Sequence, residues 1–354
     1  MSAAAQPLDE RDLREALQAT EPLWHAMRGE RIFITGGTGF FGAWLLESFA
    51  YANRELNLHA ELVALSRRPD AFRAKMPHLF ADGALHLHQG DVRDFTFPDG
   101  EFRFVIHAAT EASAKQLAEQ PAEMLSTIVA GTERTLQFVA HCRAKRLLLT
   151  SSGAVYGRQP ASITHLPETY VLPAADASNV YAEGKRASEQ LCMAAAAQHG
   201  FDVAIARCWA FCGPHLPLNS HFAIGNFIRD ALRGGPLQIA GDGTPTRSYQ
   251  YAGDLAVWLW TLLFAAPSGI AYNVGSDDSL SILQIAEAVR DALEPSLMIE
   301  VAKPVEPGAA ISRYVPAVLR ATHDLGLTNR VELAEVIRRT AAWYGWTEAG
   351  ERSG

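Results

Sequence analysis

Two residues four apart, Tyr181 and Lys185 in "NVYAEGKRASEQL" (Asn179 to Leu191), carry the first chemical signal. On a helix that spacing puts both side chains on one face. A phenol with a pKa of ~10 is a poor base at neutral pH. An ammonium one turn away, together with an oxidised nicotinamide, would favour the phenolate. Upstream, "TSSGAVYG" (Thr150 to Gly157) closes a strand-like run with Ser152. Its hydroxyl is placed to hydrogen-bond the same substrate oxygen. Together the three would move a proton on a hydroxyl or carbonyl while nicotinamide moves a hydride. A lone Tyr-x-x-x-Lys is common on surface helices; here it follows a glycine turn and a serine-bearing strand in the right order. A serine hydrolase is the poorer alternative, because Ser151 and Ser152 lack a G-x-S-x-G elbow.

The glycine turn lies in "RIFITGGTGFFGAWLLESF" (Arg31 to Phe49). A strand, Arg31–Thr35, runs into a helix that begins near Gly42, and the turn holds Gly36, Gly37, Thr38, Gly39, Phe40, Phe41 and Gly42. Missing side chains let backbone amides approach a pyrophosphate and let helix and strand pack closely. The helix N-terminus adds a partial positive charge. The alternative is a tight turn with no ligand. At the end of the second strand an acid would bind a ribose 2′-OH, whereas Arg accommodates a 2′-phosphate. Here stand Ser66, Arg67 and Arg68, with Asp70 beyond a proline, so NADP is favoured over NAD. A solvated basic loop is the other reading. Asp91 and Val92 are candidates for the adenine, although Asp91 serves a turn equally well. In "HAAT", Ala108 and Ala109, followed by Thr110, let the backbone pass close to the cofactor.

These residues need a scaffold, and the rest of the chain supplies one. Strand-like runs at Arg31–Thr35, Glu61–Leu65, Leu85–His88, Phe104–His107, Arg146–Thr150, Val203–Arg207 and Ala271–Val274 alternate with helical stretches at Gly42–Tyr51, Ala122–Cys142 and Val180–His199. Several strands are apolar on both faces, as a parallel sheet covered by helices requires. That is an α/β, doubly wound pattern. After about residue 211 Gly and Pro become frequent, the alternation lapses, and a final helix at Val331 to Trp346 closes the chain. A short amphipathic leader helix offers Leu13, Leu17 and Trp24 for docking.

The 354 residues carry a formal charge of -8 and no long basic run, which argues against a nucleic-acid or anionic-membrane binder. Leu255 to Ala266, the longest apolar run, is too short to cross a bilayer and reads as a buried helix. The N-terminus has acids where a secretory signal needs bases. Cys142, Cys192, Cys208 and Cys212 form no C-x-x-C pair, so no metal is expected. Buried thiols in a reducing cytoplasm are the default reading.

TGGTGFFG, HAAT, SSGAVYG, YAEGK and "GDGTPTRSYQY" occur in the order found in extended short-chain dehydrogenase/reductases, the NAD(P)-dependent nucleotide-sugar epimerases and dehydratases. The chain resembles that family over roughly residues 31 to 345. The resemblance implies a Rossmann domain, 31–211 plus 251–275, behind the helical extension 1–30. It also implies a smaller sugar-nucleotide domain, 212–250 plus 276–347. It makes Ser152, Tyr181 and Lys185 the catalytic set, with a nucleotide-diphosphate sugar as ligand and Ser152, Gly153, Tyr181, Asn226 and Arg247 as candidate substrate contacts. Arg247 is suited to the diphosphate, or to a structural salt bridge. A homodimer built on a four-helix bundle is expected from the family.

The departures bear on the reaction. In the family's 4,6-dehydratases an acidic pair follows the catalytic Ser/Thr; here those positions are Gly153 and Ala154. Glucuronate decarboxylases carry Glu at the second of them, where Ala154 stands. Both reactions are disfavoured on this reading. A C4 epimerase is narrowly preferred over an NADPH-dependent keto-sugar reductase, with a reductase of a non-sugar carbonyl and a catalytically idle cofactor-binding regulator further behind. Ile128 and Ala210 replace two asparagines usual in the family, so substrate grip must be rebuilt, with His215, Asn219 and Asn226 as candidates.

Overall fold

The computed structural model describes residues 5–110, 119–176, 178–220 and 222–347. Six strands fall in the first part of the chain: β1 (Arg31–Thr35), β2 (Glu61–Ser66), β3 (Leu85–Gln89), β4 (Phe104–His107), β5 (Arg146–Ser152) and β6 (Asp202–Cys208). Four short ones follow, β7 (Phe211–Cys212), β8 (Leu237–Ile239), β9 (Thr246–Arg247) and β10 (Gln250–Tyr251). The last are β11 (Ile270–Val274), β12 (Leu280–Ser281), β13 (Ile299–Val301) and β14 (Arg313–Tyr314).

Seven of them form one parallel sheet in the order β11-β6-β5-β4-β1-β2-β3. All seven expected strands are in it, most of them a residue or two longer than expected. Chain order reverses beside β1, and such a switch point opens a crevice beyond the strand C-termini. β4 is buried at every position, and β1 at all but its first, as strands covered on both faces must be.

The helix after β1 starts at Phe40, two residues earlier than expected, because Gly39 takes an extended conformation and serves as its N-cap. The last helix is Leu333–Trp343, shorter at both ends than the apolar pattern suggested.

The apolar run near residue 255 is the helix Ala252–Ala265, buried from Ala252 through Leu263. It has no polar face because the N-terminal segment covers its outer side. Asp9 caps the helix Glu10–Thr20 by accepting from the Arg11 amide. Trp24 then packs on Trp260 at 4.7 Å and Phe264 at 5.4 Å. Arg339, paired with Asp12 and Glu15, ties the segment to the last helix. Among the described residues no helix is long and apolar enough to cross a membrane.

A second apolar cluster joins Ile224, Phe227 and Ile228 to Ile285, Val289, Val336 and Ile337. Two small sheets belong to this part of the chain: β8 with β13, and β9 between β12 and β14. The second of these brings Tyr314 level with Arg247.

Candidate active site

The C-terminal edge of the main sheet is where the chemistry-bearing residues meet. β5 ends on Ser152, and the helix Val180–His199 delivers Tyr181 and Lys185 from its first two turns. Asn179 starts that helix by accepting from the Ala182 amide. A cavity of about 810 Å³ runs from the glycine turn to these side chains. Gly36, Thr38, Gly39, Phe40 and Phe41 line one end; Ser66, Arg67, Asp91 and Val92 line its flank. Ala108, Ala109 and Thr110 form the floor that leads to Ser152, Tyr181 and Lys185.

The glycines divide by cause. A Cβ on Gly36, at φ +76°, would stand 2.4 Å from the Ala108 carbonyl carbon, and one on Gly42 2.2 Å from the Gly37 oxygen. Gly36 is demanded by the close pass of the backbone beyond β4, and Gly42 by that of the turn beneath the helix start. A Cβ on Gly39 would meet just the Gly36 oxygen, at 3.5 Å. Gly39 therefore leaves room on the cavity side, at a helix start whose first amides lack intrahelical acceptors. An anionic pyrophosphate fits that cradle.

Lys185 is buried. Its Nζ donates to Thr110 Oγ1 at 2.5 Å and to the Thr150 carbonyl at 2.8 Å. Burial pushes its pKa down to about 8. Tyr181 is half-buried, and burial pushes its phenol up to about 12, with the Ser152 hydroxyl pulling more weakly the other way. The Lys185 ammonium is held by Thr110 and Thr150, 6.0 Å from the Tyr181 ring centre. Desolvation of the phenol outweighs its charge, and the positive charge of a bound oxidised nicotinamide is what remains to lower it.

The depressed lysine makes a stability prediction. Between about pH 8 and the ordinary lysine value of ~10.4 the unfolded chain holds more protons, so stability rises with pH across that window. Below it the full penalty applies. Lys185→Met should therefore stabilise the protein at pH 7 by roughly 1–3 kcal/mol, a few degrees in Tm. The gain should fade as pH rises from about 8, where the native lysine sheds its proton, and be gone above ~10.4, where the unfolded one does too. Thermal unfolding of both proteins across pH checks this, and the same variant should lose turnover.

Behind Ser152 lies a buried polar network. Ser151 donates to Glu189 at 2.5 Å, and Glu189 receives both arms of Arg207, at 3.0 and 2.8 Å. Arg207 also donates to the Tyr156 hydroxyl, which donates in turn to Asn273 Oδ1; Trp209 Nε1 reaches the same oxygen. The network locks β5, β6 and the Tyr181 helix together and fixes Trp209, which lines the cavity.

With this geometry in hand, residues 32–275 match the NAD dependent epimerase/dehydratase family. The chain belongs to it. UDP-glucuronic acid decarboxylase 1 of Arabidopsis thaliana is 30% identical over 314 residues, which span 87% of this chain and 68% of that protein. UDP-glucuronic acid decarboxylase 5 of the same plant is 30% identical over 310 residues, 86% of each chain. Among solved structures, a UDP-glucose 4-epimerase of Thermus thermophilus, in complex with NAD, gives TM-score 0.72 at 23% identity over 89% of this chain and 98% of that one. A UDP-N-acetylglucosamine 4-epimerase of Methanobrevibacter ruminantium, in complex with UDP-N-acetylmuramic acid, gives 0.75 at 20% over 90% and 99%. At those identities the likeness is one of fold, the Rossmann-like α/β architecture of the epimerase/dehydratase family.

Several expected contacts are placed elsewhere. Arg68 does not line the cavity, whereas Ser66 and Arg67 do. Asp91 lines it but also caps its own turn: it accepts from the Arg93 amide and pairs with that guanidinium at 2.8 Å, which holds the carboxyl below its usual range. Trp209 and Tyr314 fill the space that a side chain on Gly153 would need, so that position can offer its backbone alone. Asn226 lies off the cavity, donating to the Ser220 carbonyl and accepting from Arg229. Arg247 also lies outside the lining, its guanidinium donating to the Thr246 and Ser312 carbonyls. His215 is bound to Glu47 at 3.0 Å. Asn219 alone of those three rebuilding candidates faces the cavity.

Sequence reasoning missed the aromatic wall of Trp209, Phe211 and Phe222. "RCWAFCGP" was a usable signal, since an aromatic just beyond a sheet strand's C-terminus faces the crevice. For Tyr314 there was no local signal, because its place depends on the pairing of β14 with β9.

Proposed function

We propose that this chain oxidises C4 of a nucleotide-diphosphate sugar, with Ser152 and Tyr181 handling the proton. The observation that supports this most strongly is the convergence of Ser152, Tyr181 and Lys185 with the Gly39 cradle on one cavity. NAD(P)+ bound over the glycine turn supplies the hydride acceptor. Ser152 hydrogen-bonds the sugar oxygen, and Tyr181 takes its proton as the C4–H bond is lost. Lys185, held by Thr110 and Thr150, keeps a positive charge behind the phenolate. The region 212–250 plus 276–347 is the part we assign to the sugar nucleotide.

A C4 ketone opens two fates. Decarboxylation of a UDP-hexuronate has the better support, since relatives 30% identical over most of this chain are UDP-glucuronic acid decarboxylases. A carboxylate β to a ketone leaves as CO2 while its bonding electrons form the C4–C5 enolate. The electron sink is the ketone oxygen, held by Ser152 and Tyr181. A proton then adds at C5, and reduction puts hydride back on C4 and a proton on its oxygen. No acidic side chain is needed to break the carbon–carbon bond, so Ala154 does not forbid the reaction. This reverses the order inferred from positions 153 and 154 alone. The second reading is C4 epimerisation of a neutral hexose, favoured by the aromatic wall of Trp209, Phe211 and Phe222.

UDP-glucuronate and UDP-glucose, each incubated with the enzyme and either nicotinamide cofactor and followed by NMR, distinguish the two. CO2 with a UDP-pentose supports the first, and UDP-galactose the second. Stoichiometric NADPH loss on a 4-keto sugar would favour the reductase instead. No change with any nucleotide sugar would overturn the proposal.

Ser66 and Arg67 at the end of β2 support NADP over NAD. Arg67→Ala should weaken NADP+ binding about tenfold, some 1.4 kcal/mol, and leave NAD+ within about twofold. Calorimetric titration of both cofactors checks it.

A further inference from the structure

Tyr314 enters the site from outside the main sheet. β14 pairs in parallel with β9 and sets Tyr314 level with Arg247. Its ring lies on Trp209, centroids 4.4 Å apart. Its hydroxyl stands 2.7 Å from where a Cβ on Gly153 would be, so the phenol occupies the place at which a side chain next to Ser152 would begin. Ser152 neighbours both phenols, Tyr181 and Tyr314, and the two influence each other. Burial raises the Tyr314 phenol well beyond the usual tyrosine range, with the Ser152 contact pulling more weakly the other way, so its oxygen keeps a proton to give.

A serine hydroxyl has one proton and two acceptor lone pairs. Ser152 Oγ already accepts from the Ala154 amide at 3.1 Å. We propose that Tyr314 is a positioning residue of the active site: its hydroxyl donates to Ser152, which must then direct its one proton into the cavity, to Tyr181 or, once substrate is bound, to the sugar oxygen. The direction of the hydroxyl chain is thereby set from Tyr314 through Ser152 to Tyr181, and the Tyr181 phenolate gains a donor. Gly153 is required so that the second phenol has room. The inference rests on the reading of Ser152 and Tyr181 as the proton-handling pair. Lys185 from the helix, Cys208 from β6 and Arg247 from β9 are the other titratable groups facing the two phenols.

The test needs no substrate. With NADP+ bound, the Tyr181 ionisation is followed by ultraviolet difference titration, Tyr181→Phe serving as the blank. Tyr314→Phe, which keeps the ring on Trp209 and removes just the oxygen, should raise that pKa by about one unit, tenfold in the ionisation constant. Ser152→Ala, which leaves β14 untouched and serves if Tyr314→Phe does not fold, should raise it at least as much. The double variant should add nothing to Ser152→Ala. An unchanged pKa in either single variant, or additive shifts, would overturn the inference while leaving the assigned reaction standing. Failure of both NADP+ and NAD+ to bind the wild type would instead refute the reading of the site, and this inference with it.

Discussion

Tyr181→Phe should lower kcat by ~10²–10⁴-fold, the range general acid–base catalysis spans, and leave cofactor affinity within about twofold. The substitution removes one oxygen at the cavity wall and leaves the Gly39 cradle and the Lys185 contacts to Thr110 and Thr150 intact. The oxygen it removes is the proton acceptor on which C4 oxidation depends. Steady-state kinetics on the turned-over nucleotide sugar, alongside cofactor titration, separates the two quantities. Near-normal kcat would remove Tyr181 from the mechanism; lost cofactor binding would make its role structural.

The second large effect is on stability. Glu189→Ala strips the partner from Arg207 in a region where both side chains are nearly inaccessible. Breaking a buried pair from one side leaves an uncompensated charge and costs about 3–5 kcal/mol. For a chain of this size that is a fall in Tm of about 4–7 °C. Ser151 loses its acceptor as well. Replacing the pair together, Glu189→Leu with Arg207→Met, should recover most of the loss, since no lone charge remains. Thermal unfolding of the three variants checks the pattern. Equal destabilisation of the single and double variants would mean that packing, and not the stranded guanidinium, sets the cost.

The seven main strands were legible because each is a short apolar run bounded by turn residues, and the sheet needs nothing more to be recognised. The glycine turn and the Tyr181–Lys185 spacing were legible because each is a local pattern, although Lys185's partners, Thr110 and Thr150, come from other strands' ends. The two candidate substrate contacts that lie off the cavity, Asn226 and Arg247, come after residue 211, where position depends on pairing between distant segments. Arg247 and Asn226 carry the right chemical groups, but loop carbonyls and Arg229 engage them. Tyr314 is close to the site through the register of two-residue strands, which no periodicity marks. The burial that raises the Tyr181 phenol was not legible, because spacing along a helix does not report burial. The helix Ala252–Ala265 was read correctly as buried, whereas its cover, Trp24 and the first helix, had to be seen in place.

The most direct test of C4 oxidation is rapid mixing of the cofactor-bound enzyme with the nucleotide sugar that it consumes, followed at the absorbance of reduced nicotinamide. A transient rise should appear within the first turnover, slow when C4 carries deuterium, and vanish in Tyr181→Phe. Product formed with no such transient and no effect of deuterium at C4 would contradict hydride removal from that carbon.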